Sequence, residues 1–388
     1  MQVEEAVTRI KVAGAVSSTT NGSTPGAALH TVKSLFLAAL FLATGVEAVV
    51  VPTSIGAWQG RDAADAKVYP SANASADNSQ TKLSPLCSRF YHYSTQDERR
   101  QMTDRIVNEA REIAGLSTLK PGLGAANLEK FFNLHHGHMN CDGATYRRVW
   151  KGGNDFIRFN MFKRCNLWTE SWTVPESSNF TFSFVRDPLS HFVSGYREAT
   201  SRTFFDCCDV AADGNVTDHD KSEAANAATC KYSCEDFVGV EGTTRLAKTY
   251  LRDLLDGRLL NENRHFWHVA LMAANLYGGG YSQLEFVGSL ENIEADWARM
   301  CEEHECPPHL QSYQDLDMHM GQHRSSADAF GQGAGLARAF TEQPQLAAAV
   351  RRLISLDEDC FHDVLGRGRG ARRRRQFGEV ELPAWLDA

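Results

Sequence analysis

Residues 180–199 read FTFSFVRDPLSHFVSGYREA, a dense apolar run that stops at an arginine and an Asp-Pro pair before resuming with a different period. Phe180, Phe182, Phe184 and Val185 favour β structure and the run halts at a turn signal, so its first part predicts a buried strand. The second part predicts a helix. Asp187 suits the cap, Pro188 the first turn, and Leu189, Phe192, Val193 and Tyr196 recur on one face. Ser190, Ser194 and Arg197 fall on another stripe. A strand that delivers Arg186 and Ser190 to a helix start sets a cation and a hydroxyl beside backbone N–H groups and a helix dipole, which suits a phosphate.

Other segments repeat the pattern. Lys130 to Trp150 predicts a short strand, a turn around Asp142 and Gly143, and the opening of a helix. LEFVGSLENIEADWARMC, residues 284–301, predicts a buried strand ending at Gly288 and an amphipathic helix through Ile293, Trp297 and Met300. Helices are expected over Asp97–Ala114, Glu235–Leu260 and about Gln343–Ile354. Residues 201–234 read as a polar insertion stapled by four cysteines. Strands alternating with helices imply an α/β fold with a mostly parallel sheet flanked by helices, its sites at the carboxyl ends of the strands.

At 388 residues and 43% hydrophobic composition the chain can bury a core, and a net charge of −8 argues against a general nucleic-acid binder. The expected organisation is a low-structure segment 1–33, an apolar address segment 34–51, a stem 52–84, a folded domain 85–366 and a basic tail 367–388. The tail contains RGRGARRRR, residues 367–375, and reads as solvated. SLFLAALFLATGV, residues 34–46, continues past Glu47 into Ala48–Val51. A spanning helix needs about 20 apolar residues, so a signal anchor reaching Val51 competes with a cleaved signal peptide at Val46-Glu47-Ala48 and with a buried helix. The first two send the chain into the secretory pathway.

Ten cysteines, several of them close together, fit disulfides in an oxidising lumen. A zinc site from Cys207, Cys208, Cys230 and Cys234 is the alternative, although adjacent cysteines chelate poorly. Asn73 and Asn215 begin sequons in loop-like stretches, whereas the Asn179 sequon leads into the predicted core strand.

Two predicted strand-to-helix junctions, near Gly143 and near Arg186, suit a ligand with phosphates at both ends. Here the residues resemble the Golgi-type carbohydrate sulfotransferases, of the sulfotransferase family 2 kind. FVRDPLSHFVSGYR, residues 184–197, is similar to that family's FVRDPxxRFxSxYR, with His191 where arginine is frequent. NRHFWHV (263–269), FVGSLENIEADW (286–297) and DEDCF (357–361) resemble later family segments in order. The resemblance covers about residues 85–366. It implies a P-loop-like sulfotransferase fold and transfer of a sulfuryl group from 3′-phosphoadenosine 5′-phosphosulfate to a hydroxyl of a glycan or similar acceptor. It further implies a single-pass type II Golgi membrane protein with a lumenal catalytic domain, or a secreted one. Neither a metal nor nucleic acid is expected to take part.

By the same resemblance, Arg186 and Ser190 bind the 3′-phosphate. Gly143, Ala144, Thr145 and Arg147 are expected to bind the phosphosulfate end. The family's loop there reads roughly HIPKxGGTS; HMNCDGATY, residues 138–146, has Asn140 for the proline and Cys141 for the lysine. Losing that cation would remove stabilisation from the leaving group, with Arg147, Arg148 or Lys151 as substitutes. An acceptor hydroxyl also needs a base. His138 and His265 are the catalytic candidates, with His136 and His268 beside them. Glu291 suits capping better, and Cys141 is a poor nucleophile if paired. A nucleotide-binding homologue without catalysis is the alternative function; an ATP-type enzyme lacks GxxxxGK[ST].

Overall fold

The computed structural model describes residues 85–368 apart from 135, 166–167, 173, 176, 211–215, 219–229, 260–264, 279–283 and 314–330. The address segment, the stem, nearly all of the basic tail and the Asn73 and Asn215 sequons therefore lie outside the described residues. In chain order the main elements are α1 (Gln96–Ile113), α2 (Leu123–Asn133), β1 (His138–Cys141), β2 (Ala144–Arg147), α3 (Asn154–Arg164), β3 (Trp168–Ser171) and β4 (Phe180–Val185). Then follow α4 (Pro188–Cys207), β5 (Cys208–Val210), β6 (Val216–Asp218), α5 (Gly239–Leu255), α6 (Met272–Tyr277), β7 (Phe286–Ser289), α7 (Ile293–His304), α8 (Gln332–Glu342) and α9 (Pro344–Gly368). None of the described helices is long and apolar enough to cross a membrane.

Strand β4 lies inside a five-stranded sheet of order β3-β1-β2-β4-β7. It runs parallel to β2 on one side and β7 on the other, while β1 is antiparallel to both β2 and β3. The sheet is thus mixed, and its parallel half carries the strand-to-helix turns. All six β4 residues are buried, which explains a run that is apolar on one face and small on the other. Phe180, Phe182 and Phe184 join Tyr146 and Phe286 against Ile157 and Met161 of α3 and Trp297 and Met300 of α7. Trp297 stacks on Phe184 with ring centroids 5.7 Å apart, an arrangement worth about 0.5–1.5 kcal/mol beyond the buried area. On the opposite face, Val185 and Val287 meet Phe192, Val193 and Tyr196 of α4 and the larger helical layer.

Helix α4 begins as its sequence dictates. The Asp187 carboxylate accepts the Ser190 N–H at 2.9 Å and Pro188 occupies the first turn. It ends later than the polar composition of residues 201–234 suggests, because Ser201, Thr203, Phe204 and Cys207 are buried and carry the helix to Cys207. Likewise α9 continues to Gly368 rather than stopping near Ile354. Leu356, Cys360, Phe361 and Val364 extend its buried stripe.

All ten cysteines are paired, as Cys87–Cys360, Cys141–Cys165, Cys207–Cys230, Cys208–Cys234 and Cys301–Cys306. The four clustered cysteines are therefore two disulfides that tie the junction of α4 and β5 to Cys230 and Cys234, not zinc ligands. Cys141, being bonded to Cys165, has no thiol to offer as a nucleophile.

The expected strand-to-helix junction at Gly143 is instead a hairpin. Asp142 and Gly143 have φ of 49° and 94°, the left-handed pair that an Asp-Gly two-residue turn requires, and Cys141 pairs with Ala144 across it. The strand that feeds a helix is the second arm, β2, and the connecting turn is residues 148–153.

Candidate anion site at the carboxyl ends of the parallel strands

Because β2 and β4 are adjacent and parallel, their carboxyl ends deliver two turns to the same edge of the sheet. The first, Arg148-Val149-Trp150-Lys151-Gly152-Gly153, leads into α3. The second, Arg186-Asp187, leads into α4. The Arg186 guanidinium donates from Nη1 to the Lys151 carbonyl at 3.4 Å, and His191 of α4 donates from Nε2 to the Trp150 carbonyl at 2.7 Å. Burial pushes His191 down to about 3, so the ring is a neutral tether between α4 and the first turn.

Lys151 has φ of 58°, an uncommon conformation for a residue with a side chain, and Gly153 follows at 82° as the residue before α3. Gly152 passes so close to β4 that a Cβ would lie 3.0 Å from the Phe184 carbonyl oxygen. The Lys151 ammonium lies 3.4 Å from Glu198 Oε2, and Glu198 Oε1 accepts from Arg202 Nε at 2.6 Å. Burial opposes ionisation of Glu198, but the two cations outweigh it and hold the carboxyl below its ordinary range.

Ser190 is half-buried on the first turn of α4, beside the half-buried Arg186. Burial pulls the Arg186 guanidinium below its ordinary value, while Glu291 and Asp187 favour its charged form. The turn after β7 closes the third side: Glu291 Oε1 accepts the Asp187 N–H at 2.7 Å, so this carboxylate braces the second turn. One lysine, one arginine, a hydroxyl and the N–H groups of two helix starts form a donor set suited to phosphate-type oxygens.

The other sequence candidates divide between the two ends of the sheet. Gly143, Ala144 and Thr145 sit at the amino end of β2, opposite Asn179, Phe180 and Thr181, and so away from Arg186 and Ser190. Thr145 is fully buried and accepts from Asn140 Nδ2 at 2.7 Å within the hairpin. Arg147 stands at the carboxyl end but faces inward, donating from Nε to the Asn275 carbonyl at 3.0 Å and from Nη1 to His138 Nε2 at 3.2 Å. Burial and the Arg147 guanidinium drive His138 down to about 3. Held as an acceptor for that cation, His138 is poorly placed to take a proton from substrate.

His265 is different. Its Nε2 lies 2.6 Å from Asp206 Oδ2, so the carboxylate accepts the Nε2 proton and leaves Nδ1 as the basic atom. An aromatic chain links this pair to the lysine turn. His265 stacks near His268 at 6.4 Å, His268 meets Trp150 edge-on at 5.4 Å, and His136 also meets that indole edge-on, at 5.3 Å. Trp267 lies 6.5 Å from Trp150, and the Arg148 guanidinium lies 5.4 Å above the Trp150 ring. Sequence reasoning missed Trp150, Glu198 and Asp206 as parts of this region. It named Lys151 only as a substitute cation and not as the residue at the centre of the turn. The Asp142-Gly143 dipeptide between two short β-favouring runs was the signal that moves the junction forward.

A family model described as "Sulfotransferase family" matches residues 127–355, more than half of the chain, and its span includes both turns and the His265 segment. No curated protein and no solved structure gives a significant match.

Proposed function

The chain belongs to the sulfotransferase family, and on that premise we propose that it moves a sulfuryl group from 3′-phosphoadenosine 5′-phosphosulfate to a hydroxyl of a glycan, as a membrane-anchored protein of the Golgi lumen. The observation that carries the reading is the juxtaposition of the Lys151 turn and the Arg186–Ser190 turn on adjacent parallel strands. When bound, the nucleotide supplies an activated sulfuryl group at one end and a 3′-phosphate at the other. Arg186 and Ser190 hold the 3′-phosphate oxygens. Lys151 and the N–H groups entering α3 hold the phosphosulfate end, where the ammonium balances charge that develops on the leaving oxygen. His265, oriented by Asp206, accepts the proton of the acceptor hydroxyl at Nδ1.

A carbohydrate acceptor is favoured by the indoles at this end of the sheet. Trp172, 52% exposed, follows Ser171, which pairs with His138 beside the Arg147 end of β2; Trp150 and Trp267 are half-buried nearby. Indoles offer flat apolar faces with a polar edge, which suits the mixed surface of a sugar ring. The alternative, a nucleotide-binding homologue without catalysis, draws its support from a loop lacking a cation, and Lys151 in the turn removes that support.

Calorimetric titration with adenosine 3′,5′-bisphosphate tests the proposal. Wild type is expected to bind, and Arg186→Ala to bind about tenfold or more weakly, the loss of a charge-assisted contact. Absence of binding by folded wild type would retire the nucleotide reading.

A further inference from the structure

The Trp267 indole N–H donates to His268 Nε2 at 2.9 Å. An indole nitrogen can only donate, so Nε2 must be the lone-pair nitrogen of His268, and in the neutral ring the proton sits on Nδ1. His268 is 2% exposed, and burial, reinforced by the Arg202 and Lys151 cations, holds it down to about 2, so the neutral ring persists through the physiological range. Its Nδ1–H is a buried donor with no acceptor among the described residues. The neighbouring ring repeats the feature. Trp150 Nε1–H is also buried without an acceptor among the described residues, and the two rings meet edge-on at 5.4 Å. An unmatched buried donor is costly, so two on touching rings beside the lysine turn need a common explanation.

Resting on the sulfotransferase reading, the geometry points to a two-donor oxygen subsite formed by His268 Nδ1–H and Trp150 Nε1–H, which takes the sulfuryl oxygens of the donor nucleotide next to Lys151. Trp150 is covalently adjacent to Lys151, and its carbonyl is pinned by His191, so the indole is fixed relative to the turn that receives the phosphosulfate end. Neutral donors suit this place. Lys151 already supplies the cation, and oxygens that carry spread charge are stabilised by fixed N–H groups in a dry wall. The same tautomer removes His268 from the candidates for general base, because the nitrogen left for substrate already carries its proton. His268 thereby becomes a donor and the proton-accepting role falls to another group.

The test compares two nucleotides that differ only in the sulfuryl group. Affinities for adenosine 3′,5′-bisphosphate and for 3′-phosphoadenosine 5′-phosphosulfate are measured by calorimetry on wild type, His268→Ala, His268→Asn and Trp150→Phe. His268→Ala and Trp150→Phe are expected to bind the phosphosulfate about tenfold or more weakly while binding the bisphosphate like wild type. His268→Asn, whose amide N–H replaces the Nδ1–H without a titrating ring, is expected to recover the phosphosulfate affinity. Equal weakening for both nucleotides, or no weakening for either, overturns the subsite and leaves the sulfotransferase reading standing. Failure of wild type to bind either nucleotide overturns both. The pH dependence of phosphosulfate turnover is a second readout: an acid limb that disappears in His268→Asn would make His268 a base and overturn its assignment as a donor.

Discussion

The Asp187 N–H donates to Glu291 Oε1 at 2.7 Å, and Glu291 Oε2 accepts from Ser289 Oγ at 2.6 Å, so one carboxylate ties the turn after β7 to the first residue of the α4 cap. Glu291 is therefore a brace for the Arg186 turn. Glu291→Ala removes the acceptor of the Asp187 N–H and Ser289 Oγ, which water can partly replace at this exposed position, and is expected to lower stability by about 0.5–1.5 kcal/mol. Glu291→Gln, which retains one acceptor oxygen, is expected to recover part of it. Thermal denaturation of the two variants decides; equal, unchanged melting temperatures would show that the brace contributes nothing.

Lys151 stands at the turn that the first hairpin arm does not reach. Lys151→Ala is expected to slow sulfuryl transfer on the order of 10²–10³-fold, the effect of removing one preorganised charge-stabilising group. Ala144→Gly and Thr145→Ser, at the far end of β2, are expected to leave the chemical step unchanged. Single-turnover rates measure this, and a large rate loss in the hairpin variants with none in Lys151→Ala would return the phosphosulfate end to residues 143–145.

That contrast marks where the sequence was legible and where it was not. Strand β4, its Asp187 cap and the Pro188 start of α4 could be read because local periodicity and capping chemistry agree with the tertiary environment there. The β7–α7 unit was legible for the same reason. The turn 148–153 was not, because a four-residue strand carries too little periodicity to separate a hairpin from a strand and helix, and only the Asp-Gly pair distinguishes them. Cys141 sat where a lysine was sought, yet its partner Cys165 lies on the far side of α3, a pairing that no spacing rule supplies. The Asp206–His265 pair spans 59 residues and depends on α4 continuing to Cys207, which polar composition concealed behind buried threonines and serines.

Gly195 of α4 packs against the segment that carries His268. A Cβ there would lie 1.9 Å from the His268 carbonyl oxygen and 2.6 Å from its carbonyl carbon, both backbone atoms that cannot swing aside. Gly195→Ala is therefore expected to destabilise the protein by about 1–3 kcal/mol or more and to displace the His268 ring. Denaturant unfolding checks the first effect. A variant as stable as wild type would show that α4 and this segment separate at little cost.

Buried neutral histidines set the acid limit of the fold. Burial depresses His138 and His191 to about 3 and His268 to about 2, so between about pH 6.5 and 3 the unfolded chain takes up protons that the folded one refuses. Stability from these groups is fully present above pH 6.5 and falls as pH drops, each unmatched proton contributing a slope of about 1.4 kcal/mol per pH unit. Asp357 opposes them. Burial raises its carboxyl to about 7, against hydrogen bonds from the Met272 and Ala273 N–H groups, so it favours the fold as pH falls from 7 toward 4. Three groups outweigh one, and denaturant midpoints are expected to decline from pH 6.5 downward. His191→Gln should flatten that decline, and an unchanged slope would mean that His191 does not enter the balance.

The Asp206–His265 pair fixes which imidazole nitrogen is left to accept a proton in the proposed reaction. With Asp206 accepting the Nε2 proton at 2.6 Å, Nδ1 keeps its lone pair. In Asp206→Asn the amide N–H can donate to Nε2, which transfers the ring proton to Nδ1 and blocks proton uptake there. The variant is expected to lose on the order of 10²–10⁴ in transfer rate while binding adenosine 3′,5′-bisphosphate like wild type. His265→Ala should match it, and the double variant should be no slower than either single one, because the two residues act as one unit. Rates are measured as bisphosphate released with a panel of glycosaminoglycan chains as acceptors. Full activity in Asp206→Asn would separate the pair from catalysis and leave it as a link between α4 and the His265 segment, while additive losses would mean that the two side chains act at different steps.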